Sequence, residues 1–492
     1  MQHPSRELTD LNLDVLLEIL GYLDLKSLVS VAQTCPGLRD AAYTPQLWKH
    51  CTINVPAGYS LTELTAKSLC DRRINHIRLL GEPDSQHQHE IQTASLTNYV
   101  KYVAVESLHL VQEPFLIYPI TLPNSIDTVL SLDLTLKMDL WRFIFNPEDY
   151  KQLLWSILSS VTHLEKLKLT MAISSNYIAD KSQQEGSEDV CCEFYDSWEN
   201  FDYFALVLRC LPQLKDFDLI EDVCDQLFQS EMYVNPTKKI EPTNKYLSLE
   251  RLSVRHQTQF TLRHIPDHFS NLKHLCLRDP YDWHGIDLPD FRNIFSGLKA
   301  LQSLTLEPND YRTRPYTSYP QLPTVTALKI EGGVMASYEF YKHFIMFNKQ
   351  IRVLDLSSSW PSNMDMCAEW SEIPKSAPNL EILILSRNIC HRMDKLCENV
   401  KKFTPRLFSF IGVLVQEKSA LPPNLRYITH QSEENRRACL NRRACLKKKS
   451  GYELKFPFLL MKQGLTWTQI AKDSRGWKEA FGISYFFPNS LV

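Results

Sequence analysis

The sequence predicts an α/β fold in which a small N-terminal helical domain precedes a curved solenoid, with parallel strands on the concave face and helices outside. Three observations support this. The chain has 492 residues, which is too long for one ordinary core. Between residues 10 and 50 the apolar residues follow helical spacing. Beyond residue 70 a strand-length apolar pattern recurs at intervals typical of repeat proteins.

The composition excludes several classes of protein. With 44% apolar residues the chain can bury a large core, and wholesale disorder is excluded. A formal net charge of −3 argues against a dedicated nucleic-acid or membrane-surface binder, which needs surplus Lys and Arg. The 13 cysteines lack regular spacing, and no stretch approaches the ~18 apolar residues of a membrane span. We therefore expect a reduced, soluble, intracellular protein that is cytoplasmic and/or nuclear.

Residues 8–52 are predicted to form a cluster of short helices. Asn12 can cap the first helix and Gly21 marks its end. Pro36-Gly37 and Thr44-Pro45 mark the boundaries of later helices. A unit this small rarely buries enough surface alone, so we expect part of its apolar surface to meet something else. The residues that share one side of the first helix are Leu16, Ile19, Leu20 and Leu23.

This segment resembles the F-box family. Residues 11–23 look like its leading helix, 24–35 its middle elements, and 45–48 its closing turn. The resemblance implies docking onto Skp1, the adaptor of a cullin-RING ubiquitin ligase, through apolar residues of these helices. The Skp1-binding residues carried over by position are Leu11, Val15, Ile19, Leu20 and Leu23, together with Val31, Cys35 and Trp48.

Residues 74–430 carry the recurring pattern: an apolar residue, two variable ones, an apolar residue, one variable one, and an apolar residue. It occurs eleven times, first as Ile74-Ile77-Leu79 and last as Leu380-Leu383-Leu385. The later copies start 24 to 29 residues apart, and the region resembles the leucine-rich-repeat family in its irregular, longer-period form. We expect about 11 to 12 repeats. Amphipathic stretches such as 149–161 predict helices between the strands.

Five segments lie outside the regular pattern. Residues 53–73 are predicted to be a linker or the first helix of the array. Insertions are predicted at 178–202, which is polar, and at 307–323, which is rich in proline and tyrosine. The basic segment 431–451 contains a duplicated Asn-Arg-Arg-Ala-Cys-Leu motif, and its composition fits either a solvated face or a nuclear-import or phosphate-binding tract. Residues 452–492 carry enough apolar surface to cap the end of the array.

The variable positions of the strands are predicted to form the target-binding surface. Side chains alternate across a strand, so the residues between the leucines should face the concave solvent side. Arg255 and Arg278 could together bind a carboxylate or phosphorylated segment, whereas an ordinary solvated face or internal charge pairing is the alternative. The candidate substrate-binding residues are Lys166, Lys168, Asp216, Asp218, Arg251, Arg255, His274 and Arg278.

The sequence offers no signature of an enzyme. It lacks a Gly-rich phosphate loop, a nucleophile elbow and a His-Glu-x-x-His motif. His264 and His268 could share a helical face, but no third ligand is evident, so we expect no metal and no cofactor.

We therefore expect a non-catalytic substrate-recognition subunit of an SCF (Skp1-cullin-F-box) E3 ubiquitin ligase. Its partners would be Skp1, through it the cullin and RING subunits, and a protein target held by the solenoid, with no membrane or nucleic-acid partner. The alternative is a non-catalytic interaction scaffold whose F-box is degenerate. This alternative is favoured by Asn12, where the family usually has proline, and by Gly37-Leu38, near which it usually has an Arg-Trp pair.

Overall fold

The structure is a computed structural model of the whole chain, and it divides into two compact units, residues 1–238 and 239–490. The residues that the structure describes, apart from single gaps at 22, 24, 426 and 457–458, are 11–48, 51–56, 59–80, 86–102, 105–112, 128–174, 203–222, 246–255, 265–278, 295–306, 321–330, 345–356, 372–385, 393–411, 425–429 and 452–462.

The first unit begins with four short helices and continues into a parallel sheet. The bounds of its described helices are α1 Leu13–Leu20, α2 Leu25–Ala32, α3 Pro36–Ala42, α4 Pro45–Trp48, α5 Glu63–Asp71, α6 Gln86–Tyr102, α7 Leu140–Phe145, α8 Pro147–Ser159 and α9 Tyr203–Cys210. Its described strands are β1 Thr52–Pro56, β2 His76–Leu80, β3 Ser107–Gln112, β4 Ser131–Asp139, β5 Lys166–Ser174 and β6 Asp216–Asp222.

Strands β1 to β6 pair in sequence order, and every pair is parallel. The central apolar residue of each repeat lies in register with that of the next, and these side chains are no more than 2% exposed. Burial of such aligned rows against the intervening helices forms the core of the unit. The row consists of Ile77, Leu108, Leu132, Leu167 and Phe217.

The second unit continues the same construction with shorter strands. Its described strands are β7 Arg251–Arg255, β8 His274–Arg278, β9 Ser303–Leu306, β10 Ala327–Ile330, β11 Val353–Leu356, β12 Ile382–Leu385, β13 Ser409–Ile411, β14 Tyr427–Thr429, β15 Tyr452–Phe456 and β16 Leu459–Lys462. Its described helices are α10 Ile265–His268, α11 Ile373–Ser376 and α12 Met393–Phe403.

Strands β7 to β14 are parallel, whereas β15 and β16 form an antiparallel hairpin. Strand β16 pairs antiparallel with β14. A hairpin in this position closes the parallel run and leaves β14 without a free edge on that side. The predicted cap over 452–492 begins with this hairpin, and the remainder of that segment lies outside the described residues.

The predicted fold class is confirmed. Each of the eleven predicted repeat patterns coincides with a strand, β2 to β12, and the helix predicted over 149–161 is α8. The segment 53–73, predicted as a linker or first helix, contains most of β1 and all of α5, so the sheet starts directly after the helical domain. The predicted insertion 178–202, most of the insertion 307–323 and the basic segment 431–451 lie outside the described residues.

Asparagine side chains join neighbouring repeats at the turns before β8, β11 and β12. Asn271 Nδ2 donates to the Leu247 carbonyl at 2.9 Å, and Asn379 Nδ2 donates to the Lys349 carbonyl at 3.0 Å. Buried Asn348 accepts from the Leu322 amide at 2.6 Å. These bonds satisfy turn backbone groups that the strands leave unpaired.

Opposite charges meet at the residue that immediately precedes the strand. In the first unit Glu165 pairs with Lys215, with Oε1 and Nζ 2.5 Å apart. In the second unit Glu250 pairs with Lys273 at 2.9 Å, and Arg352 makes a two-pronged contact with Glu381 at 2.7 and 2.9 Å. Because each partner comes from the adjacent repeat, these pairs report on which repeats are neighbours. We call them the inter-repeat charge pairs.

Candidate binding surfaces

Helix α1 of the N-terminal domain starts at a side-chain cap. The Asn12 side chain accepts a hydrogen bond from the Asp14 amide at 3.2 Å, and Asp14 places a negative charge in the first turn. Both features stabilise a helix N-terminus. Asn12 therefore supports the start of α1 through its side chain.

One side of α1 forms the core of the helical domain. Leu16 and Leu20 are 5% and 3% exposed, and they pack with residues of α2 and α3. Deleting side chains buried to this degree costs several kcal/mol in typical proteins. The other buried members of this core are Leu28, Ala32, Ala41 and Ala42, and Leu23, Val31, Leu38, Tyr43 and Leu47 pack against it.

A second side of α1 leaves apolar side chains in solvent. Leu11, Val15 and Ile19 recur every four residues and are 40%, 44% and 40% exposed. Val15 and Ile19 lie four residues apart on one face of α1, and Leu11 lies just before the cap residue Asn12. We call these three residues the α1 stripe. Leu13 of α1 and Val29 of α2 are exposed as well.

The structure sorts the eight predicted Skp1-binding residues into three groups by burial. The α1 stripe can contact a partner directly. Leu20 and Trp48 lie in the interior, so their side chains offer no surface to a partner and instead support the helices. Leu23, Val31 and Cys35 are half-buried. Helical spacing alone placed Ile19 and Leu20 in one group. These neighbouring residues lie on the border between the buried and the exposed side of a short helix, so spacing does not separate them.

Trp48 and Tyr43 connect the helical domain to the first repeat. The Trp48 indole Nε1 donates to the Ala42 carbonyl at 2.6 Å, and the two rings lie 5.9 Å apart. The Arg72 guanidinium, at the end of α5, lies 4.8 Å from the Tyr43 ring and 5.5 Å from the Trp48 ring. Cation–π contacts of this kind hold the helical domain against the array.

The turn after α5 is conformationally strained. Arg73 has a φ of 55°, in the left-handed region that favours glycine. The backbone bonds from Arg73 to the Cys70 carbonyl and from Ile74 to the Leu69 carbonyl close the helix end as a Schellman-type motif. The turn therefore places Arg72 beside the aromatic pair at a conformational cost.

The strand side chains that alternate with the buried leucines occupy what we call the outward positions. Across the first unit one row of outward positions is aligned from β1 to β6. Five of its six residues are ionisable. We call this row the cross-strand ladder, and it consists of Asn54, Arg78, His109, Asp133, Lys168 and Asp218.

The ladder contains a connected group of ionisable side chains. Asp133 Oδ2 lies 3.0 Å from His109 Nδ1 and 3.2 Å from Lys168 Nζ. Asp133 Oδ1 and Asp218 Oδ1 are buried and accept no hydrogen bond from the residues that the structure describes. Lys168 stands in register between Asp133 and Asp218, and its ammonium pairs with Asp133. Lys168 and Asp218 were predicted from the sequence, whereas His109 and Asp133 were missed although they occupy the same repeat position.

The predicted cationic group of the second unit is placed on β7 and β8. Arg251 and His274 are in register, and so are Arg255 and Arg278. His274 Nδ1 lies 2.8 Å from Ser303 Oγ. Burial, followed by the positive charges of Arg251 and Lys273, lowers the pKa of His274, so this ring is neutral at neutral pH.

Strands β9 to β12 contradict the expectation that outward positions face solvent. All four residues of each strand are buried. Lys329 and Asp355, in register on β10 and β11, are only 4% and 1% exposed, with Nζ and Oδ2 3.9 Å apart. The sequence carried a signal that we overlooked, because apolar Val353, Ile382 and Ile384 occupy outward positions.

The part of the chain that the structure describes holds no group of three or more His, Cys, Asp or Glu that could bind a metal ion. His264 lies outside it, and His268 is buried beside the rings of Tyr246 and Phe269. Within the same residues no helix is both long and apolar enough to cross a membrane.

The N-terminal domain matches a known family. Residues 13–54 fit the family model described as F-box-like, which covers α1 to α4 and the first residues of β1. The four helices therefore form an F-box-like domain, and the strands that follow carry leucine-rich repeats. The predicted class, an F-box protein with C-terminal leucine-rich repeats, is confirmed by this match and by the repeat strands. No curated protein matches the chain.

Solved structures show only distant likeness. A Bacteroides fragilis protein is 11% identical in an alignment that covers 60% of this chain and 68% of the bacterial chain, with a TM-score of 0.31. A chain of the mouse RP105/MD-1 complex is 13% identical in an alignment that covers 77% of this chain and 74% of the mouse chain, with a TM-score of 0.32. A chain of the yeast Rad7 and Elc1 complex is 13% identical in an alignment that covers 74% of this chain and 86% of the yeast chain, with a TM-score of 0.29. At these scores the likeness carries no argument about the chain.

Proposed function

We propose that the protein is the non-catalytic substrate-recognition subunit of an SCF-type E3 ubiquitin ligase. In this role the F-box-like domain docks on Skp1, and through it on the cullin and RING subunits, while the repeats hold a protein target. The receptor accelerates ubiquitin transfer by raising the local concentration of the target beside a partner's active site. It needs no acid, base or nucleophile of its own.

The observation that carries this proposal is the α1 stripe. The helical domain has a core of its own, yet Val15 and Ile19 remain exposed within the segment that matches the F-box-like model, and Leu11 is exposed just before it. Apolar side chains aligned on one helix face are typical of a helix that packs into a partner's groove. Their exposure fits a domain whose surface is completed by another protein.

Binding to purified Skp1 tests the proposal. The Ile19→Asp variant places a charge in the α1 stripe and should abolish binding, because an unpaired charge in an apolar interface is costly. Leu64→Asp is the matched control, since Leu64 is an exposed leucine on α5, and it should bind like the native protein. If the native chain does not bind Skp1, the interaction scaffold is the better account.

A further inference from the structure

Two aspartates of the cross-strand ladder differ in what surrounds their charge. Asp133 is contacted by both His109 and Lys168. Asp218 forms no ion pair with any described residue, although Lys168 is in register with it, and its Oδ1 is buried without a hydrogen bond. A carboxylate oxygen that is removed from water without a hydrogen-bond donor destabilises the folded state. Asp133 has a cationic partner in Lys168, whereas Asp218 has none among the described residues.

The cation nearest in register cannot supply that partner. The Lys168 ammonium is already bound to Asp133, 3.2 Å away. Neighbouring Lys166 is exposed and stands in register with Asp216 rather than with Asp218. A positively charged group beside Asp218 would therefore stabilise this part of the sheet.

The outward face of β4 to β6 is open enough to receive a ligand, in contrast to that of β9 to β12. Thr135, Thr170 and Ile220, which follow the ladder in the next outward row, are all partly exposed. By comparison the outward positions of β9 to β12 are buried within the chain. An incoming side chain would thus find a charged anchor flanked by apolar and hydroxyl surface.

We propose that Asp218 binds a lysine or arginine side chain of the target polypeptide, and that the outward face of β5 and β6 is where the target docks. The role of the bound polypeptide as a ligase target rests on the function proposed above, whereas the binding itself does not. Charge complementarity selects a cationic segment, because a partly desolvated carboxylate gains most from a charged donor. An acidic or phosphorylated segment would instead be repelled by Asp218 and its neighbour Asp216.

Fluorescence polarisation with labelled synthetic peptides tests the proposal on the full chain. The probes are short Gly/Ser peptides that carry a pair of arginines, a pair of glutamates, or no charge. We expect the arginine peptide to bind best and its affinity to fall about tenfold in Asp218→Asn, which keeps the shape but removes the charge. Asp71→Asn, at the exposed end of α5, is the matched control and should leave the affinity unchanged.

A reversal variant keeps the test decisive. Asp218→Lys should shift the preference to the glutamate peptide, with unchanged circular dichroism showing that the sheet is intact. Equal binding of the arginine peptide by the native chain and Asp218→Asn, or no preference for arginine over glutamate, would overturn the proposal. The Ile19→Asp variant should bind peptide normally, so that failure of Skp1 docking and failure of this site are separate results.

Discussion

Replacing two adjacent residues of α1 should separate folding of the F-box-like domain from its docking. Leu20 is 3% exposed and Ile19 is 40% exposed. Truncation of a buried leucine costs about 2 to 5 kcal/mol, whereas Ile19→Ala should cost only about 1 kcal/mol because much of that side chain is already in water. A single core in so small a domain supplies no more than about 3 to 5 kcal/mol. Leu20→Ala should therefore unfold the domain.

Hydrogen exchange and Skp1 titration distinguish the two variants. In Leu20→Ala the amides of α1 and α3 should lose protection, and Skp1 binding should disappear with them. In Ile19→Ala protection should stay near the native level, while Skp1 affinity falls about tenfold. Native-like protection of α1 in Leu20→Ala would refute the assignment of Leu20 to the core, and unchanged affinity in Ile19→Ala would refute the stripe as the docking face.

Three other predictions each follow from a single residue. Lys329→Met should destabilise the second unit in urea unfolding by about 3 kcal/mol or more, because it leaves the Asp355 charge buried without this partner. Arg73→Gly should raise the melting temperature, gaining up to about 1 kcal/mol by relieving the left-handed φ. Because burial lowers the pKa of His274 in the folded state, the unfolded chain takes up its proton first, so stability should fall as the pH drops below about 6.5, the usual pKa of histidine, and His274→Asn should weaken this dependence.

Each of these has an outcome that would contradict it. An unchanged urea midpoint for Lys329→Met would mean that the Asp355 charge is compensated elsewhere. A lower melting temperature for Arg73→Gly would mean that the arginine side chain contributes more than its backbone costs. Identical pH profiles for the native chain and His274→Asn would show that other groups govern acid sensitivity.

The repeat strands were predictable because their pattern is both periodic and redundant. Leu132 and Leu167 satisfy the same spacing as nine other copies, so errors at single positions did not matter. The start of the sheet at β1 was less predictable. Val55 is the only described residue of β1 that is buried, and a single residue makes no pattern. A strand with so weak a signal is recognised only through its partner β2.

The candidate binding surfaces were only partly predictable. Residue type marked Lys168 and Asp218 as charged outward positions, but the pairing of Lys168 with Asp133 depends on how neighbouring strands align. Which of two helix stripes is buried depends on where α3 packs, and α1 alone contains no such information. Burial of both strand faces at Lys329 and Asp355 was predictable in part, since apolar Val353, Ile382 and Ile384 occupy neighbouring outward positions.

The inter-repeat charge pairs disfavour the exchange of one repeat for another. Each pair contributes little energy at an exposed site. However, duplicating the repeat that carries Lys273 would set two ammonium groups side by side, and exchanging it for the one that carries Glu381 would set Glu381 against Glu250. The order of the repeats along the chain therefore determines whether opposite or like charges meet between neighbours. Genetic rearrangements that lengthen, shorten or recombine the array are disfavoured where they bring like charges together.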